Sequence, residues 1–114
     1  MKIFDIAKKY RHEIKFLCAK SDMVVLKSSL SCILKKDSHA DEMGQYHIRS
    51  LYFDDYDDIF LSDNLDGVDP RKKWRIRCYN LSRKLIHLEC KSKYNGLNTK
   101  EYTEIDETIF NALI

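Results

Sequence analysis

A chain of 114 residues with 44% hydrophobic content makes one small domain with a modest core, too short for two. Twenty Lys and Arg against eighteen Asp and Glu leave a net charge of +2, and charge that is segregated rather than uniformly basic argues against a simple nucleic-acid-coating protein. No apolar run is long enough to cross a membrane. Four widely spaced cysteines, without a Cys-x-x-Cys pair or a secretory leader, point to a reduced cytoplasmic setting.

Met1–Lys9 reads as an amphipathic lead, with Ile3, Phe4 and Ile6 available for burial. Tyr10–Cys18 alternates as a first strand, which would put Arg11, Glu13 and Lys15 on one side. Ser21 offers an N-cap, and Met23, Leu26, Leu30 and Ile33 recur at helical spacing to about Lys35. A polar loop over Lys36–Gly44 leads to a second strand, Gln45–Phe53, and Asp55–Asn64 reads as a short helix. Turn chemistry at Asp66-Gly67-Val68-Asp69-Pro70 precedes a third strand, Arg71–Asn80. A fourth strand, Leu85–Tyr94, is joined through the hairpin signal Asn95-Gly96 to a fifth, Asn98–Ile105, and Asp106 caps a final helix over Glu107–Ile114. The expected fold is α+β, an antiparallel sheet with flanking helices.

Charges in these strands fall at every second residue. The alternation gathers Arg11, Lys15, Arg49, Lys73, Arg75, Arg77, Lys91 and Lys93 with Glu13 and Glu89 on one expected face, eight cations against two carboxylates. Twelve basic and sixteen acidic residues are left for the rest of the chain. A solvated face is the plain reading of any one such strand. Three of them with interspersed carboxylates also suit a polyanion, because arginine and lysine bind phosphate oxygens while carboxylates hold hard cations.

Other site chemistries fail on spacing. A calcium loop framed by Gly67 would place Ser62 first and Lys73 twelfth, where carboxylates are required, so the aspartates between Asp54 and Asp69 read as caps and a solvated face. There is no Gly-x-x-x-x-Gly-Lys loop, no ligand-spaced histidine pair and no serine or cysteine in an activating context. Cys78 and Cys90 fall opposite the charged residues of their strands and read as core.

The ordered series Arg11-x-Glu13-x-Lys15, Arg49-Ser50-Leu51-Tyr52-Phe53-Asp54, Arg71-Lys72-Lys73-Trp74-Arg75-Ile76-Arg77-Cys78-Tyr79 and Leu88-Glu89-Cys90-Lys91-Ser92-Lys93 resembles the polyphosphate polymerase (VTC) domain family. That family belongs to the CYTH-like triphosphate tunnel metalloenzymes. The resemblance runs from Tyr10 to about Ile105 and covers only the first part of the family's domain. It implies an antiparallel tunnel whose basic lining binds a nucleoside triphosphate and growing inorganic polyphosphate, with a divalent metal, Mn or Mg, held by glutamate. By motif match Lys15, Arg75, Arg77 and Lys91 correspond to the phosphate-binding lining, with Lys100 a further candidate. Glu13 and Glu89 correspond to the acidic members of the same wall, as metal residues or as groups that orient the cations. Arg11, Arg49, Lys73 and Lys93 have the direction of substrate-binding residues and equally that of surface cations.

What the resemblance implies about length is that residues 1–114 form the N-terminal portion of one tunnel domain, a truncated chain or gene fragment lacking the second half. Its exposed strand edges would associate with another copy or with the missing half. Three activities stay open: an ATP-dependent phosphotransferase, weak or inactive in this chain; a triphosphate hydrolase; and a silent polyanion-binding module. A single-stranded nucleic-acid binder that stacks bases on Tyr52, Trp74 and Tyr79 ranks below these, because Trp74 falls on the face opposite Arg75.

Overall fold

The computed structural model describes residues 9–114, so all but Lys9 of the expected amphipathic lead lies outside the described residues. In chain order the elements are α1 (Lys20–Ser31), β1 (Ile48–Phe53), α2 (Ile59–Leu65), β2 (Arg71–Tyr79), β3 (Ile86–Tyr94), β4 (Leu97–Ile105) and α3 (Glu107–Leu113). The chain divides into two compact units. One holds residues up to Glu13 together with His47–Ile114, and the other is Ile14–Tyr46.

The first unit is built on a four-stranded antiparallel sheet in the order β1-β2-β3-β4. Asn95 and Gly96 both take positive φ, 50° and 77°, the backbone that a two-residue hairpin matching strand twist requires. Tyr94 therefore pairs with Leu97, and this register carries through to Ile86 opposite Ile105. Ile76, Ile86 and Cys90 form the buried core on one side of the sheet. Trp74 points to that side too, paired with Phe53 and Cys90.

The connections are held by carboxylates accepting backbone hydrogen bonds. Asp54 takes the amides of Asp55, Phe60 and Leu61 at 2.8–2.9 Å, and Asp55 takes those of Asp57 and Ile59 at 3.0 Å, so these aspartates start α2. The same bonds hold the Asp54 carboxyl below its ordinary pKa, against the upward push of burial. α2 packs on β2. Asp106 caps α3 by accepting the Ile109 amide at 2.8 Å, and Arg83 fixes that helix by pairing with Glu107 and lying 5.7 Å from the Phe110 ring centroid.

The expected strand over Tyr10–Cys18 does not form. Arg11 makes an isolated antiparallel bridge to Asn98, with both backbone bonds at 2.9 Å, and residues 12–19 take no regular structure. A strand needs a partner along its length, and among the described residues only Asn98 supplies one. In the second unit α1 begins one residue before Ser21, because the Asp22 carboxylate reaches back to the Ala19 amide at 2.9 Å. The helix ends at Ser31, short of Lys35, where the amides of Cys32 and Ile33 tighten onto the carbonyls of Ser29 and Leu30.

Candidate functional site

The register decides which side chains share a face. Arg71, Lys73, Arg75 and Arg77 of β2 stand across from Lys93, Lys91, Glu89 and His87 of β3. Those four stand across from Asn98, Lys100, Tyr102 and Glu104 of β4, while Ser50 and Tyr52 of β1 flank Arg77 and Arg75. Seven cations thus share one face with two strand carboxylates, on the side away from the core.

Glu89 is the centre of this face. It is 0% exposed, and its Oε2 accepts a hydrogen bond from Arg75 Nε at 2.6 Å. Its Oε1 has Lys100 Nζ at 3.6 Å and His87 Nδ1 at 4.0 Å, and no hydrogen-bond partner among the described residues. Burial pushes the Glu89 pKa up. The Arg75 hydrogen bond and the charges of Arg75, Lys100 and Arg77 outweigh it, so the carboxyl sits below its ordinary value.

Arg75 is only 9% exposed and is held from two sides, since its Nη1 also donates to the Tyr52 hydroxyl at 3.1 Å. A guanidinium has five N–H donors, so three remain after these two bonds. Burial works against its charge, but the bonds from Tyr52 and Glu89 more than restore it, and its pKa is raised. Arg77 Nε donates to Ser50 Oγ at 3.3 Å. His87 lies between the rings of Tyr79 and Tyr102, at centroid distances of 5.9 and 5.0 Å, with Nε2 4.0 Å from Glu104.

Of the residues singled out in the sequence, Lys73, Arg75, Arg77, Glu89, Lys91, Lys93 and Lys100 meet on this face. Lys91 Nζ binds Glu13 Oε2 at 2.8 Å, which brings Glu13 to it as well, and the Arg11 bridge sets that residue beside Asn98. Arg49 is a correction. It pairs with Cys78 and alternates with Ser50 and Tyr52, so it stands on the opposite face from Arg75 and Arg77. Lys15 belongs to the second unit, on the irregular segment before α1, rather than on a strand.

Sequence reasoning offered Tyr52 only as a base-stacking ring and missed Ser50, His87, Tyr102 and Glu104 as members of this face. The signal for the last three was their alternation with Glu89 or Lys100. Ser50 and Tyr52 become visible only once β1 is placed beside β2.

A model of the VTC domain family matches residues 10–114, nearly the whole chain. The chain belongs to the VTC domain family. No curated protein and no solved structure matches it. Membership ties this VTC domain to polyphosphate-related function in general, and no helix among its described residues is long and apolar enough to cross a membrane.

VTC domains are generally associated with divalent metal use. The donor set here does not fit a metal. Glu89 is enclosed by Arg75, Lys100 and His87, Glu13 is engaged by Lys91, and the described residues contain no cluster of three or more metal-ligating side chains. A divalent ion at the unpartnered Oε1 of Glu89 would sit among like charges, with Lys100 Nζ 3.6 Å from that oxygen and the Arg75 guanidinium on Oε2.

Proposed function

We propose that the basic face of the sheet binds the triphosphate of a nucleoside triphosphate and the end of an inorganic polyphosphate chain, as one wall of a phosphotransferase tunnel. The observation that carries this reading is the gathering of cations from β2, β3 and β4 around one buried carboxylate. A face meant only for water needs no buried counterion beneath it. Glu89 costs desolvation and is repaid by orienting Arg75 and Lys100, the arrangement expected where donors must keep their direction before an anion arrives.

Phosphoryl transfer asks little covalent work of a protein. A terminal polyphosphate oxygen attacks the γ-phosphorus, the bond from that phosphorus to the β–γ bridging oxygen breaks, and the nucleoside diphosphate leaves. Rate comes from alignment and from neutralising charge on the phosphates. Arg75 and Arg77 serve as planar clamps for phosphate oxygens, with Lys73, Lys91 and Lys100 as point charges along the polyanion. Glu13 and Glu89 act as counterions that hold Lys91 and Arg75.

The cleanest test is Arg77→Ala, because among the described residues Arg77 donates to the Ser50 hydroxyl and leaves no hydrogen-bonded carboxylate stranded. Loss of a charge-assisted contact worth about 1.5–3 kcal/mol would weaken tripolyphosphate binding, measured calorimetrically, by about ten- to a hundredfold. Unchanged affinity would remove the assignment. A silent polyanion-binding module is the second reading, since the same cations of β2, β3 and β4 would hold an anion whether or not transfer follows. ATP with Mn or Mg separates the possibilities: chain growth supports the polymerase, phosphate release alone a hydrolase, and tight binding with neither product the module.

A further inference from the structure

We infer that Tyr52 is a working member of the anion site, locking Arg75 through its hydroxyl oxygen and offering its phenolic proton to a phosphate oxygen of the ligand. The inference rests on the anion-binding reading above and deepens it, since it adds a neutral donor to a set of cations and makes binding depend on the state of one phenol.

Tyr52 sits on β1, directly across from Arg75, and is 52% exposed, so it lies on the open side of a guanidinium whose inner side is fixed by Glu89. Arg75 Nη1 donates to the Tyr52 oxygen at 3.1 Å, and the guanidinium carbon lies 5.9 Å from the ring centroid. A phenol that accepts from a guanidinium still has its own O–H to give. Acceptance from a cation polarises that O–H and makes it a better donor, so the chain Arg75 to Tyr52 to anion is cooperative. Arg75 is thereby fixed at both ends, by a buried carboxylate and by an exposed phenol, and its three remaining N–H groups keep one orientation.

The electrostatic setting has a consequence for pH. The Arg75 hydrogen bond, with the charges of Arg75, Lys73 and Arg77, pulls the phenol below its ordinary pKa despite partial burial. All three cations come from β2, the strand paired with β1, and Lys73 Nζ lies 6.0 Å from the ring centroid. On β1's own continuation the Asp54 carboxylate is occupied by the amides of Phe60 and Leu61. Ionisation of Tyr52 would remove the donated proton and place a negative charge beside the anion. Anion affinity is therefore complete while the phenol is neutral, and falls as pH rises through a value below the ordinary phenol pKa of about 10.

The test compares wild type, Tyr52→Phe and Arg77→Ala for tripolyphosphate binding by calorimetry at neutral and alkaline pH. Tyr52→Phe deletes one oxygen on an exposed ring and keeps the shape. It should weaken binding at neutral pH by about three- to tenfold, the worth of one hydrogen bond. It should also show a smaller alkaline loss than wild type, because only wild type has the phenol. A spectrophotometric titration reads the same group directly: the wild-type minus Tyr52→Phe tyrosinate signal should move to higher pH when tripolyphosphate is bound. If Arg77→Ala weakens binding while Tyr52→Phe matches wild type at both pH values, the role of Tyr52 is refuted and the anion site stands. If wild type binds no tripolyphosphate, the anion-binding reading fails and this inference with it.

Discussion

Glu89 concentrates the electrostatic risk of the ionic face, because a fully buried carboxylate is tolerable only while its cations stay in place. Glu89→Ala would leave Arg75 buried with its principal counterion gone, and should cost about 3–5 kcal/mol in urea unfolding. Replacing both partners, as in Arg75→Met with Glu89→Leu, should cost much less stability while abolishing anion binding, since no lone charge is left behind. The native pKa of Glu89 lies below its unfolded value. Its charge therefore stabilises the fold fully above the unfolded carboxylate pKa, about 4.3, and that contribution is lost as pH falls through the lowered native value. Urea midpoints of wild type should drop across this acid range more steeply than those of Glu89→Gln. Parallel curves would show that the Glu89 charge does not stabilise the native state.

At the level of elements, the β3–β4 hairpin is tied to the loop before β2 by a single side chain. Asp69 accepts the Asn95 amide at 2.9 Å and the Gly96 amide at 2.7 Å, so both turn residues depend on a carboxylate 26 and 27 positions earlier. Asp69→Ala should cost about 1–3 kcal/mol and speed amide exchange at Asn95 and Gly96 before the rest of the sheet opens. Exchange unchanged at those two positions would show that the hairpin holds its own turn. The strands around this hairpin were legible because alternation and turn chemistry agree. Arg71–Tyr79, Ile86–Tyr94 and Leu97–Ile105 each lie within a residue of the span read from the sequence at either end. Alternation alone does not fix which face a strand presents. The phase of β1 is set by Leu51 pairing with Ile76, and that pairing turns Arg49 away while bringing Ser50 and Tyr52 to the cations. Tyr10–Cys18 misled for a related reason: an alternating segment becomes a strand only where a neighbour supplies its hydrogen bonds, and that condition is not written in its own residues.

For the whole molecule, a net charge of +2 conceals a sheet with seven cations and two carboxylates on one face, so anion binding should weaken with added salt far more than the net charge implies. The ends of that sheet raise the question of assembly. β1 and β4 are terminal in the strand order, and among the described residues β4 pairs beyond β3 only where Arg11 meets Asn98. Unpaired edges are templates for another strand, and we expect two copies to associate along β4. Asn98 donates its amide to Arg11, away from β3, and by alternation the amides of Lys100, Tyr102 and Glu104 point the same way. Glu104→Pro would therefore delete an outward donor and leave the β3 ladder whole. Sedimentation should show wild type as a dimer and Glu104→Pro as a monomer with the same circular dichroism. A dimer of unchanged mass in the variant would exclude β4 as the joining edge, and a monomeric wild type would show that the edge is not used between copies.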